Sequence, residues 1–167
     1  MYSQKVRAIL ERAGWYEGRK IDISEKVAKL EECGFEVFDK AKEFLQEFDE
    51  LKLEETEPFY PKTYGIEPTY DIFDVKWFID ILLKKPKEER KQYIEHWFTS
   101  CDSEERNIPI GSLSAWEVYL FITESGRIVT DISLIGNSIE EGVSNVIQNY
   151  GCGFLSDNIK KLYNNDI

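Results

Sequence analysis

Between Trp116 and Thr123 the chain alternates strictly: Trp116, Val118, Leu120 and Ile122 fall on one side, and Glu117, Tyr119, Phe121 and Thr123 on the other. Period two belongs to a β-strand, and the Glu124-Ser125-Gly126-Arg127 turn that follows returns Ile128–Leu134 as an antiparallel partner. Upstream the period lengthens to that of helices. Val6, Ile9, Leu10 and Ala13 form one stripe, Ala41, Phe44, Leu45 and Phe48 another, and Val75, Phe78, Ile79 and Leu82 a third. Downstream, Ser138-Ile139-Glu140-Glu141 is a capping box that opens a helix carrying Val143, Val146, Ile147 and Tyr150. A hairpin in the C-terminal half, flanked by several helices, predicts an α+β fold with a mixed or antiparallel sheet. At 167 residues the chain suits one domain, 1–167, with a single core.

The punctuation sharpens this. Gly14 is placed to end the first helix in a left-handed conformation, with Trp15 folding back on Ile9 or Leu10. Ser24 is placed to cap a second helix carrying Val27 and Leu30, which stops at Cys33-Gly34. Leu51-Lys52-Leu53-Glu54 and Asp71-Ile72-Phe73 read as short strands around a proline-rich loop from Glu55 to Pro68. Pro86 opens a helix that buries Tyr93, Ile94 and Trp97, with Phe98 a further candidate. The tail from Phe154 to Tyr163 reads as a short helix.

Net charge is −11, unevenly placed. Residues 1–30 carry +3 (seven bases, four acids), residues 31–60 carry −8 (three bases, eleven acids), and residues 101–167 carry −6. Nucleic acid is excluded as a partner, because binding it requires clustered cations. The charge either favours a basic protein as partner, since opposite charge steers association, or merely keeps the protein soluble. No apolar run approaches the roughly 20 residues that span a bilayer. Met1-Tyr2-Ser3-Gln4-Lys5 leads straight into an amphipathic segment, which reads as no signal peptide. Cys33, Cys101 and Cys152, odd in number and widely spaced, fit reduced thiols in the cytoplasm.

Catalytic motifs are missing. His96, the single histidine, precedes Trp97-Phe98 on a helix and reads as an ordinary partly buried side chain. Without a second histidine, CxxC or HExxH there is no zinc signature, and no metal or other cofactor is expected. Neither a phosphate-cradling GxxxxGK nor a marked Cys-His pair occurs. Acid pairs such as Glu54-Glu55 mean little among 32 acids. A small hydrolase is the weakest of the functional readings.

Six blocks stand in a distinctive order: Ala13-Gly14-Trp15-Tyr16-Glu17-Gly18-Arg19, Gly34-Phe35-Glu36-Val37-Phe38, Phe44-Leu45-Gln46-Glu47-Phe48, Ile108-Pro109-Ile110-Gly111, Glu124-Ser125-Gly126-Arg127-Ile128-Val129 and Gly136-Asn137-Ser138-Ile139-Glu140-Glu141-Gly142. From about Val6 to Ile147 this order resembles the third subfamily of the SUKH superfamily, whose bacterial members are immunity proteins that neutralise polymorphic toxins. The resemblance implies a cytoplasmic inhibitor, not an enzyme, with a toxin as partner, often a nuclease and sometimes a deaminase. The alternative it leaves is a SUKH-like adaptor that recruits a cellular protein with no toxin involved. Monomer and dimer stay equally open.

Candidate contact residues are of two kinds. The acidic segment holding Asp49, Glu50, Glu54, Glu55 and Glu57 would imitate phosphates in a basic groove, or else be a solvated strand edge. Trp15 and Arg19, with Tyr16, would be exposed hot-spot residues, or else a helix stop with an anchoring aromatic. Asp102, Glu104 and Glu105 form a rival acidic loop.

Overall fold

The computed structural model describes residues 1–53, 72–102, 104–113 and 118–148. Among the described residues, five helices precede the sheet and one follows it: α1 Gln4–Arg12, α2 Ser24–Cys33, α3 Asp39–Phe48, α4 Val75–Leu83, α5 Lys87–Trp97 and α6 Ile139–Gln148. Strands β1 Asn107–Leu113, β2 Val118–Thr123, β3 Ile128–Thr130 and β4 Leu134–Gly136 form one antiparallel sheet in the order β1-β2-β3-β4. The fold is α+β, with its sheet in the C-terminal half.

The helix stops follow the glycines. Gly14 has φ +104, its N–H bonds Glu11 O, and Trp15 N–H bonds Leu10 O at 3.0 Å. Gly34 repeats the motif with Phe35 N–H on Leu30 O. Both helices end by carrying a large aromatic back toward the core, where Trp15 and Phe35 are buried. Ser24 proves not to be the cap of α2. It is the first helical residue, and Asp22 Oδ1 takes both its N–H (2.9 Å) and its hydroxyl (2.6 Å). A carboxylate two residues upstream is the stronger acceptor in an Asx turn.

The expected hairpin is present, pairing Ile122 with Ile128, but the returning strand is shorter than the apolar run. Thr130 Oγ1 accepts from the N–H groups of Ile132 (3.1 Å) and Ser133 (2.9 Å), turning the chain and splitting Ile128–Leu134 into β3 and the start of β4. Leu120, Phe121, Ile122 and Thr123 are all buried, so the alternation of β2 did not leave one face to water. α3 packs on β2, α4 on β1, and α6 on β3 and β4.

Of the two short strands expected over Leu51–Glu54 and Asp71–Phe73, the described residues form no ladder. In this stretch Lys52 N–H bonds Ala13 O, and Leu53 O accepts the Ile72 N–H. Ile72 O then takes Ser112 N–H from β1. At the opposite edge Asn145 Nδ2 of α6 donates to Ile135 O of β4 at 2.7 Å. Each sheet edge thereby gives one backbone group to a neighbouring segment.

α5 buries none of its own residues completely, because it leans on α4 and the end of α2 over a narrow strip. Tyr93 and Ile94 are half-buried, whereas Trp97, expected inside, is 55% exposed. Phe98, just past the helix, takes the interior place at 3%. The Glu55–Pro68 loop, Glu54, Asp71, Trp116, Glu117, Tyr150 and the tail helix from Phe154 to Tyr163 lie outside the described residues.

Candidate functional site

The Ala13–Arg19 block converges on the C-terminal end of α3. A helix leaves its last carbonyls without internal partners, and α3 has no glycine there to turn back and bond them. Arg19 takes that role from outside: Nη1 donates to Glu47 O at 2.6 Å and Nη2 to Asp49 O at 2.8 Å. Its guanidinium lies at the negative end of the helix dipole, where a cation is stabilised. Only 8% of Arg19 is exposed. Trp15 fixes the same turn through its side chain, with Nε1 donating to Glu47 Oε1 at 2.9 Å. Tyr2 meets the Trp15 ring edge-on at 5.8 Å, and Arg7 lies over it. Of the three residues considered for an exposed patch, Tyr16 alone is exposed. Trp15 and Arg19 face inward and hold the helix end.

The acidic residues that follow divide in the same way. Asp49 is 3% exposed and pairs with Lys26 Nζ. Burial pushes its carboxyl up, and the Lys26 hydrogen bond pulls it back. Glu50 points outward, with 62% of its side chain exposed, and binds the same Lys26 Nζ at 2.9 Å. That bond holds the Glu50 carboxyl below its ordinary range. Its backbone has φ 63, the one non-glycine in the left-handed region among the described residues. Three expectations of local chemistry are thus broken at one place: acids at a helix C-terminus, a buried carboxylate and a left-handed glutamate. Glu54, Glu55 and Glu57 lie outside the described residues.

The rival acidic loop is an internal clamp. Arg127 of the hairpin turn binds Asp102 and, at 2.9 Å, Glu105. Glu105 also receives the Ser125 N–H at 2.8 Å, which lowers its pKa. Glu104 is exposed. Sequence reasoning missed these pairings because Arg127 is 25 residues from Asp102 and no local pattern links them.

His96, expected half-buried, is exposed beside Trp97. Among the described residues, no three His, Cys, Asp or Glu side chains gather as a metal would require. No helix of the described residues is long and apolar enough to cross a membrane.

Fold and clamp together define an α+β protein whose most distinctive residues serve its architecture: a helix stop, a carbonyl cap and a strand–helix junction. The family described as SUKH-3 immunity protein matches residues 2–149, and the chain belongs to it. No curated protein and no solved structure matches the chain.

Proposed function

We propose that the chain protects its producer by binding a cognate toxin in the cytoplasm and covering the toxin's active site, without catalysis of its own. The family match over residues 2–149 is the observation that carries this reading, since an immunity role presupposes a toxin. The toxin in this proposal is a basic nuclease. Supporting that choice are the net charge of −11 and its concentration, −8, between residues 31 and 60 (three bases, eleven acids). The contact surface centres on Glu50, which is exposed and bound by Lys26, with Glu54, Glu55 and Glu57, close in sequence, as its further candidate contacts. Trp15, Arg19 and Asp49 contribute by holding that end of α3 in place.

The test is co-expression with the toxin encoded beside its gene. Rescue of growth is expected, with a dissociation constant of nanomolar or below, about −12 kcal/mol or stronger. Failure to rescue, with a stable complex to a non-toxic cellular protein instead, would transfer the chain to the adaptor reading.

A further inference from the structure

Beside the α3 clamp lies a groove of about 530 Å³, within the range of sites that take a small ligand or a partner's side chains. The solvent face of α3 lines it, along with the β2–β3 turn and the first turn of α6. Its cations are largely engaged. Arg19 is spent on two helix carbonyls, and Lys40 is bound by Glu43 at 2.7 Å with its stem against Gly126. Lys20 adds a further positive charge.

Two acceptors are less committed. Glu47 uses one carboxylate oxygen on Trp15, and its second has no partner among the described residues. The Tyr2 hydroxyl, also lining the groove, has no hydrogen-bond partner among the described residues. Glu140 lines the groove with Tyr2 from α6, and its one ion pair among the described residues is to the exposed Met1 amino group, a contact of little worth in water. Burial, then Glu47, then Glu140 raise the Tyr2 phenol well above its ordinary range. The open Glu47 oxygen and the Tyr2 hydroxyl are both acceptors, so a donor that carries positive charge is the ligand that suits them.

We propose that this groove receives a lysine or arginine side chain of the protein partner, hydrogen-bonded by Glu47 and the Tyr2 hydroxyl and faced by Glu140. Trp15 is then a positioning residue, because its indole N–H fixes the Glu47 carboxylate that meets the ligand. Lys40 is the internal counter-ion that the incoming charge displaces from Glu43. Charge-assisted bonds of this kind are among the strong ones, and arginine is frequent among interface hot spots. The identity of the partner as a toxin rests on the immunity reading; the cation preference does not.

Two measurements keep them apart. In the first, amide shifts are followed while a tetra-arginine peptide, or tetraglutamate as its opposite, is added to the intact protein. Shifts from tetra-arginine alone, gathered at Tyr2, Gly126 and Ile139, are expected. Glu47→Gln and Tyr2→Phe should each weaken binding at least fivefold and Lys40→Met should tighten it, while Glu88→Gln on α5 changes nothing. Scattered shifts, or equal loss from Glu88→Gln, overturn the groove. The second measures affinity for the neighbouring toxin, with melting curves confirming that each variant is folded. A toxin bound equally by wild type, Glu47→Gln and Tyr2→Phe overturns the groove as its docking site and leaves immunity standing. No toxin binding by wild type, with the peptide site intact, overturns immunity and leaves the groove.

Discussion

Gly136 at the end of β4 lies directly against Gly142 in the first turns of α6: a Cβ on Gly136 would come within 2.3 Å of the Gly142 amide nitrogen. A Cβ on Gly142 would in turn lie 2.2 Å from Cγ1 of Ile128 in β3. Between them Ser138 Oγ accepts the Glu141 N–H at 3.1 Å, and Glu141 Oε2 accepts the Asn137 N–H at 2.8 Å. The capping box starts the helix, and the two glycines let it fold back onto the strand it has just left.

Substitution at either glycine should therefore be severe. Gly142→Ala is expected to destabilise by about 1–3 kcal/mol, the usual range for forcing volume into a packed interior. Pairing it with Ile128→Ala, which removes Cγ1 and Cγ2 from that contact, should cost less than the sum of the two single losses. Urea melts of the two variants check this, and additive losses would speak against the contact.

Arg19→Met should cost about 1–3 kcal/mol, because it leaves the Glu47 and Asp49 carbonyls without a donor. Trp15→Ala should cost about 3–5 kcal/mol, as large aromatic deletions do, and Trp15→Phe closer to 1 kcal/mol for the lost indole hydrogen bond. A melt of Trp15→Ala unchanged from wild type would contradict the interior assignment.

Reversal of Glu50, Glu54 and Glu55 to lysine should slow toxin association strongly at low ionic strength. The effect should fade with salt, as the Debye length drops from about 10 Å at 0.1 M to about 3 Å at 1 M. Asp102 and Glu105 cannot serve as the charge-matched control, since their reversal would break the Arg127 clamp. Glu88, Glu89 and Glu95 on α5 are suitable. Equal slowing by both triples in stopped-flow traces would assign the effect to the overall field and not to the α3 end.

Cys33 is buried, and that burial raises its thiol to about 11. At pH 8 it should resist maleimide in the folded protein while exposed Cys101 reacts, as peptide mass mapping would show. Its folded pKa exceeds the unfolded value, so its contribution to stability is complete below about pH 9 and is lost as pH rises toward 11. Cys33→Ala should flatten that alkaline loss.

What the sequence determined by itself was local. Helices α1, α3, α4 and α6 follow from apolar spacing, because one face of a helix must find the core whatever that core is. Gly14 and Gly34 announce their stops through a conformation that other residues resist, and the hairpin from Leu120 to Ile128 is legible from alternation around a short turn. The family itself could be read from the order of these blocks. What the tertiary structure decided depends on partners distant in sequence. Arg19 reads equally well as a hot spot or a cap until the end of α3 is seen to lack donors. Asp49 and Glu50 are neighbours of the same charge, yet Lys26 buries one and displays the other. Asp102 and Glu105 look like free acidity until Arg127 arrives from the hairpin. A carboxylate's role is set by the cation that reaches it and by the water it loses, and both are properties of the folded chain.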